Sequence, residues 1–404
     1  MNKKQLFLWC SYDFANSIVF INFLLYFGQW LVIDGGVSDF WYNAIFAIAT
    51  ILLVFSAPSL AALTDKHGGR KYFLNISTVG TFVSYGLAAL TAWLYPSSIF
   101  LIAILFLLGQ YFYQLSFIFF NPMLADIADE AHRGRASGIR QFSNSFGQIL
   151  GLVMTLSFAE SRLIPLFIAV PVFFVLALPM MIFFKEERIR EKVVKIKTIH
   201  AETKVFIKKF IAFFSISAAA PMLIAFFFFN DALVTITNNY PIYMERVFAV
   251  PDATKSLLLM LVLVMSGVGG IIAGWVGDKI GNLKTLKYIL ILWAVALPII
   301  ALAPNIAALS VISGVVGLLL GSVWVVTGAH LSTLLSKEEM GYGFSFYTLA
   351  ERFATFLGPL TWGGIIWILG TEAKSYRIDM ALMTVFVLIG LAILIKWKRV
   401  PQKA

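Results

Sequence analysis

Cysteine occurs once in these 404 residues, at Cys10, so the chain can form no internal disulfide and no cysteine-based metal cluster. Its four histidines are scattered without metal-ligand spacing, and no metal or other cofactor is expected. Charge is also scarce, at 13% of residues against roughly a quarter in soluble chains. No Walker loop, nucleophile elbow or HExxH pair is present, which argues against a nucleotide-driven pump or a membrane hydrolase. No clustered catalytic set stands in their place, so an enzyme is not expected.

What fills the chain instead is apolar: 60% of residues are hydrophobic. They come in unbroken runs, and Ile99 to Phe120, Leu257 to Val276 and Asn305 to Ser336 contain no Asp, Glu, Lys or Arg. A run of about 20 such residues crosses a bilayer as a helix. Apolar runs and polar breaks place helices near 6–33, 39–63, 71–94, 97–123, 136–160, 163–184, 210–243, 254–277, 284–303, 306–335, 341–369 and 377–397. The first is too long and too polar for a secretory signal and reads as a mature helix. The expected fold is all-α: a polytopic membrane protein of twelve transmembrane helices.

Thirty-one Lys and Arg against 21 acids give a net charge of +10, and where the cations lie decides what that means. Of the 31, 24 fall in or beside the N-terminal tail, the loops after even-numbered helices and the C-terminus. That asymmetry follows the positive-inside rule. Both termini are expected in the cytoplasm of a cell whose plasma membrane holds the chain, with anionic lipid and no nucleic acid as the partner of the excess charge. The longest polar break divides the chain into an N-terminal six-helix bundle (1–184), a basic amphipathic cytoplasmic linker (185–209) and a C-terminal six-helix bundle (210–404).

The polar minority repeats between those halves. Asp65-Lys-His-Gly68-Gly-Arg70-Lys71 follows the second helix, and Asp278-Lys279-Ile-Gly281 follows the eighth, 213 residues later. Tyr12-Asp13-Phe-Ala-Asn16-Ser17 on the first helix is echoed by Asn230-Asp231 and Thr235 on the seventh, with the acids 218 apart. Parallel repeats about an axis along the membrane normal are a transporter pattern with a site at the midplane.

These residues resemble the major facilitator superfamily. The loop from Asp65 to Lys71 is similar to its signature between helices two and three, and Asp126 to Gly138, with Arg133, resembles the loop before helix five. A narrower resemblance is to the branch of autophagy-related vacuolar amino-acid effluxers and their prokaryotic relatives, carried by Tyr12 to Ser17, by Asn230-Asp231, and by Phe346-Tyr347 leading to Arg352 and Gly358-Pro359. The chain departs from that branch on helix ten, with Trp324 and Thr327-Gly328. The resemblance implies secondary active transport by alternating access, functional as a monomer, with efflux of amino acids or similar small metabolites and protons as the candidate coupling ion. A proton-coupled exporter of amphipathic compounds stands as the alternative, and a non-transporting membrane receptor as a third reading.

An ionisable group inside the hydrocarbon needs a partner or a watery cavity. Asp13, Asn16 and Ser17 share one face of the first helix, and Asp231, Thr235, Asn238 and Asn239 recur at helical spacing on the seventh. Asp13 has two readings: pairing with a neighbouring helix, or contact with solute or proton. Asn238 and Asn239, just before Pro241, are read as lying at an outer helix end. Gln110 and Gln114 add hydrogen-bonding groups one turn apart on helix four, whereas Tyr111 and Tyr113 read as packing. Arg140 and Arg352 are permanently charged. Arg140 is read as a structural pair across helices, and Arg352, since neighbours on a helix diverge by about 100°, is expected to pair beyond its own helix rather than with Glu351. Asp13, Asn16, Gln110, Gln114, Asp231, Thr235 and Arg352 are the candidate substrate or coupling residues. Asp65, Gly68, Arg70, Asp278, Gly281, Asp126 and Arg133 are the candidate gate, with Asp65 and Asp278 expected to accept backbone N–H groups at a facing helix N-terminus.

Overall fold

In the computed structural model, residues 2–128, 132–186, 208, 211–215, 217–335 and 340–396 are described, except for the side chains of 62, 65, 66, 125, 133, 134 and 340–345. The fold is all-α, with no strand among the described residues. In chain order the helices are α1 (Lys3–Asn22), α2 (Asp39–His67), α3 (Arg70–Leu94), α4 (Ile99–Phe120), the single turn α5 (Leu124–Ile127), α6 (Arg133–Thr155), α7 (Ile164–Phe183), α8 (Ala220–Phe248), α9 (Asp252–Ile280), α10 (Asn282–Ala301), α11 (Ile306–Ser332), α12 (Met340–Phe353), α13 (Leu357–Leu369) and α14 (Ala373–Lys396). Among the described residues, eleven helical stretches are long and apolar enough to cross a membrane. Helix α6 is not among them, because Arg135, Arg140, Asn144 and Gln148 make it polar.

The chain separates into two compact units, Met1–Val37 with Ile45–Lys209, and Ser38–Ala44 with Phe210–Ala404. In the first, α1 packs along α6 and α7, and α3 along α4 and α7. Helix α1 is its buried axis and continues to Asp34 through two π-helical turns, Phe23–Phe27 and Trp30–Asp34. Its close approach to α6 depends on glycine. A Cβ at Gly147 would come within 2.5 Å of the Phe14 carbonyl, and one at Gly151 within 3.1 Å of the Ile18 Cα. Beside Gly151, the Asn22 amide donates to the Ile18 carbonyl (2.8 Å) and the Gly151 carbonyl (3.3 Å). Such small-residue contacts hold helices together where apolar burial gives no preference over lipid. Cys10 is buried on α1 with a free thiol.

In the second unit α8 packs against α14 and α12, and α9 lies along α11. Helix α8 differs from expectation at both ends. It begins at Ala220 rather than near 210, and runs through Pro241 to Phe248. The missing proline N–H costs one ladder bond without ending the helix. Asn238 and Asn239 are therefore buried in mid-helix and not at its outer end. The expected single helix 341–369 is two, α12 and α13. Pro359 falls in the first turn of α13, where its absent N–H has no intrahelical partner to lose. Most of the expected linker 185–209 lies outside the described residues.

Candidate functional site

In the first unit the site is built around Asp13, which is fully buried. Its Oδ2 pairs with Nη1 of Arg140 at 3.2 Å, and its Oδ1 accepts from the Asn144 amide at 3.3 Å. The Gln148 amide in turn donates to Asn144 Oδ1 at 2.8 Å. Residues 140, 144 and 148 are one turn apart, so α6 presents a polar row to the acid of α1. The guanidinium also lies 5.6 Å from the ring of Trp9, within cation–π range. Trp9 is itself fixed, stacking on Phe120 at 5.0 Å and donating from Nε1 to the Phe120 carbonyl at 3.1 Å. The two partners differ in access. Asp13 is sealed, while 25% of the Arg140 side chain remains accessible.

The polar face of α1 is partly spent on its own backbone. Asn16 donates to the Tyr12 carbonyl at 2.9 Å and Ser17 to the Asp13 carbonyl at 2.7 Å. On α4, Gln110 and Gln114 are both buried, and Gln114 Oε1 has no donor among the described residues. Tyr111 donates to Ser56 at 3.0 Å, and Tyr113 stacks on Phe20 at 5.7 Å.

In the second unit Asp231 does something the sequence did not announce. Its Oδ2 accepts from the backbone N–H of Gly358 at 2.8 Å, and its Oδ1 is buried without a donor among the described residues. It is thus an anionic cap on α13, placed where the helix dipole favours negative charge. Thr235, one turn along α8, has its buried Oγ1 unpaired among the described residues and lies against Gly358. A Cβ there would overlap that oxygen and meet the Asp231 carbonyl at 2.9 Å. The neighbouring Asn230 Oδ1 accepts from Trp324 Nε1 at 3.0 Å, and its amide reaches the Glu351 carbonyl at 3.5 Å. Arg352 Nη2 donates to Oε1 of the adjacent Glu351 at 3.4 Å.

Of the gate residues, the side chains of Asp65 and Arg133 lie outside the described set. Gly68 and Gly69 adopt φ of 70° and 90°, a turn that glycine permits at little cost. Gly281 has φ of 92°. Arg70 reaches the Pro122 carbonyl at 3.4 Å, and Asp126 sits half-buried on α5. Asp278 is exposed near the C-terminal end of α9. The acid that does cap an N-terminus here is Glu186, whose two oxygens accept from the N–H groups of Gly69, Arg70 and Lys71 at 2.8, 2.8 and 3.1 Å. Lys71 Nζ completes the joint by donating to the carbonyls of Ile182 and Phe184, both at 2.8 Å. Glu186, Asn144 and Gln148 were not among the sequence candidates. The 140/144/148 spacing was visible; for Glu186 the only signal was an acid at the head of a basic break.

Two stretches of the chain, 9–248 and 222–404, match the family model described as Major Facilitator Superfamily. An uncharacterized protein of Aquifex aeolicus (strain VF5) is 23% identical, over 88% of this chain and 87% of that one. An uncharacterized MFS-type transporter of Bacillus subtilis (strain 168), YxiO, is also 23% identical, over 97% and 94%. Among solved structures, the nucleoside transporter NupG superposes with a TM-score of 0.72 at 14% identity, over 98% of this chain and all of that one. A bacterial homologue of the human lysosomal transporter Spinster, inward-facing and unoccupied, gives 0.74 at 13%, over 98% and 97%.

Proposed function

From the premise that this chain belongs to the major facilitator superfamily, whose members carry small solutes across membranes, we propose that its solute is an amino acid or a similar small metabolite with a carboxylate, read by Arg140. The observation carrying this reading is the asymmetry of the Asp13–Arg140 pair. The acid is sealed and the arginine side chain is a quarter open. A guanidinium has five donors in a planar fork and can hold a second carboxylate without leaving the first, while the Trp9 ring offers a flat wall beside it. Asp231 is less suited to meet solute than its sequence position suggested, since its charge caps α13. Gln114, with an unpaired buried oxygen, is a candidate acceptor for an ammonium group.

Transport by this reading is alternating access, with the halves 1–184 and 210–404 rocking as bodies joined by 185–209, and with Asp65, Arg70 and Asp278 at the gate. Efflux through a plasma membrane with both termini inside is the direction and setting that the sequence resemblance and its charge asymmetry favour.

A thermal-shift screen of a metabolite panel on the purified protein tests the solute class, because a ligand of the native state alone raises its apparent stability. Amino acids should shift the wild type, and Arg140→Ala should lose that shift. Stabilisation by lipophilic cations, with none by amino acids, would replace this reading with export of amphipathic compounds.

A further inference from the structure

The second unit holds a buried acidic network apart from the groups considered so far. Asp39, in the first turn of α2, and Asp379, on α14, are 2% and 0% exposed. Asp39 Oδ2 accepts from the hydroxyl of Tyr376 at 2.9 Å. Tyr376 and Asp379 are three residues apart on α14 and share a face, and Asp379 lies within electrostatic reach of Asp39. Arg246 of α8 acts on both Asp39 and Tyr376. From Asp39 the network continues through Asn43, whose amide donates to the Asp39 carbonyl at 2.9 Å, to a reciprocal amide pair with Asn239 at 2.8 and 3.0 Å.

What this network lacks points to a ligand. Both oxygens of Asp379 and Oδ1 of Asp39 are buried without a hydrogen-bond partner among the described residues. Arg246 acts on Asp39 and Tyr376, while the charge that acts on Asp379 is the like charge of Asp39. An ionised Asp379 without donor or counter-ion is a costly state for a buried group. A neutral Asp379 in isolation would still leave an O–H without an acceptor, and Asp39 Oδ1 is an acceptor without a donor.

We propose that Asp379 and Asp39 together hold one exchangeable proton, and that this is the proton coupled to transport. It is taken from water and returned to water, and only an O–H bond forms and breaks. The titratable and charged groups acting on this network are Tyr42 on α2, Arg246 on α8 and Tyr376 on α14; Tyr243 on α8 donates instead to the Ile300 carbonyl at 3.0 Å. Helix α13 carries no titratable residue. Helix α10 meets this end through its C-terminus, where Arg377 donates to the Ala301 carbonyl, and its lysines and tyrosine lie at the opposite end, 13 or more residues away. The coupling role rests on the transporter reading above; the proton site itself does not.

Infrared titration of the full-length purified protein in lipid tests the site without any solute. The wild type should show a protonated-carboxyl absorption near neutral pH that Asp379→Asn removes and Tyr376→Phe shifts in frequency. Should Asp379→Asn fail to fold, Asp39→Asn and Tyr376→Phe carry the same test. In proteoliposomes, one coupled proton supports up to about tenfold solute accumulation per unit of pH difference, and Asp379→Asn should reduce this to simple equilibration. Persistence of the absorption in both Asp variants overturns the site. Sodium-dependent stabilisation of the wild type with no such absorption overturns it in favour of a metal cation. A present and Asp379-dependent absorption with accumulation unaffected by Asp379→Asn overturns the coupling role alone.

Discussion

Arg140 meets one acid and one aromatic ring, the acid in turn meets an amide row, and these contributions can be separated by substitution. Arg140→Ala removes the guanidinium from the buried Asp13, a change that costs about 3 kcal/mol where a pair is fully buried, and somewhat less here because a quarter of the arginine is open and the Asn144 amide still donates to the acid. Asp13→Asn should cost less, since an amide oxygen can still accept from Arg140 and Asn144. The double variant Asp13→Leu/Arg140→Leu should be more stable than the sum of the two single leucine changes, as directly interacting residues are not additive. Thermal unfolding in detergent measures all of these, and additivity would show that the pair contributes nothing. Asp13 was legible because a lone acid in an apolar run demands an explanation. Its partner was visible as a charge, but the row that also meets the acid, Asn144 and Gln148, was hidden by how ordinary Asn and Gln look on a helix bordering a loop.

At the scale of the helix, the division between α12 and α13 gives Asp231 its use. Apolar composition is continuous through Ala354, Thr355 and Phe356, so no polar break marked the division. The signal was Gly358-Pro359, a helix start rather than a helix interior. Asp231→Ala should therefore act as loss of a cap, about 1–2 kcal/mol, with Asp231→Asn or Asp231→Ser restoring part of it. Hydrogen exchange should show the added opening confined to the first turn of α13. Uniform loss of protection across the second unit would argue that Asp231 supports the whole bundle and not that turn. Glu186 makes the same kind of contact at α3, through a residue that composition assigned to a basic linker. In both cases the acid was countable, but the vacant N–H groups it satisfies depend on where a helix begins, and helix boundaries are the least legible feature of an apolar run.

For the molecule as a whole, the apolar runs carry the fold, and the polar residues repeated between Asp13 and Asp231 and between Asp65 and Asp278 led to the superfamily that the family model matches. Substrate was far less legible, since the proposed reading turns on which side of an ion pair is open, and no pattern of residue types records that. Sidedness rests on cation distribution. Twelve crossings return the chain to the side on which it began, so reporters fused at Met1 and at Ala404 should both respond as cytoplasmic. Opposite responses would require an odd number of crossings, with α6, the most polar helix, as the first to re-examine. The sealed thiol of Cys10 gives the chain a near-silent background towards water-soluble maleimides, so a single cysteine introduced at an exposed position becomes a reporter in an otherwise native protein. Conformational exchange in this transporter can then be followed by labelling rate, without first rebuilding α1.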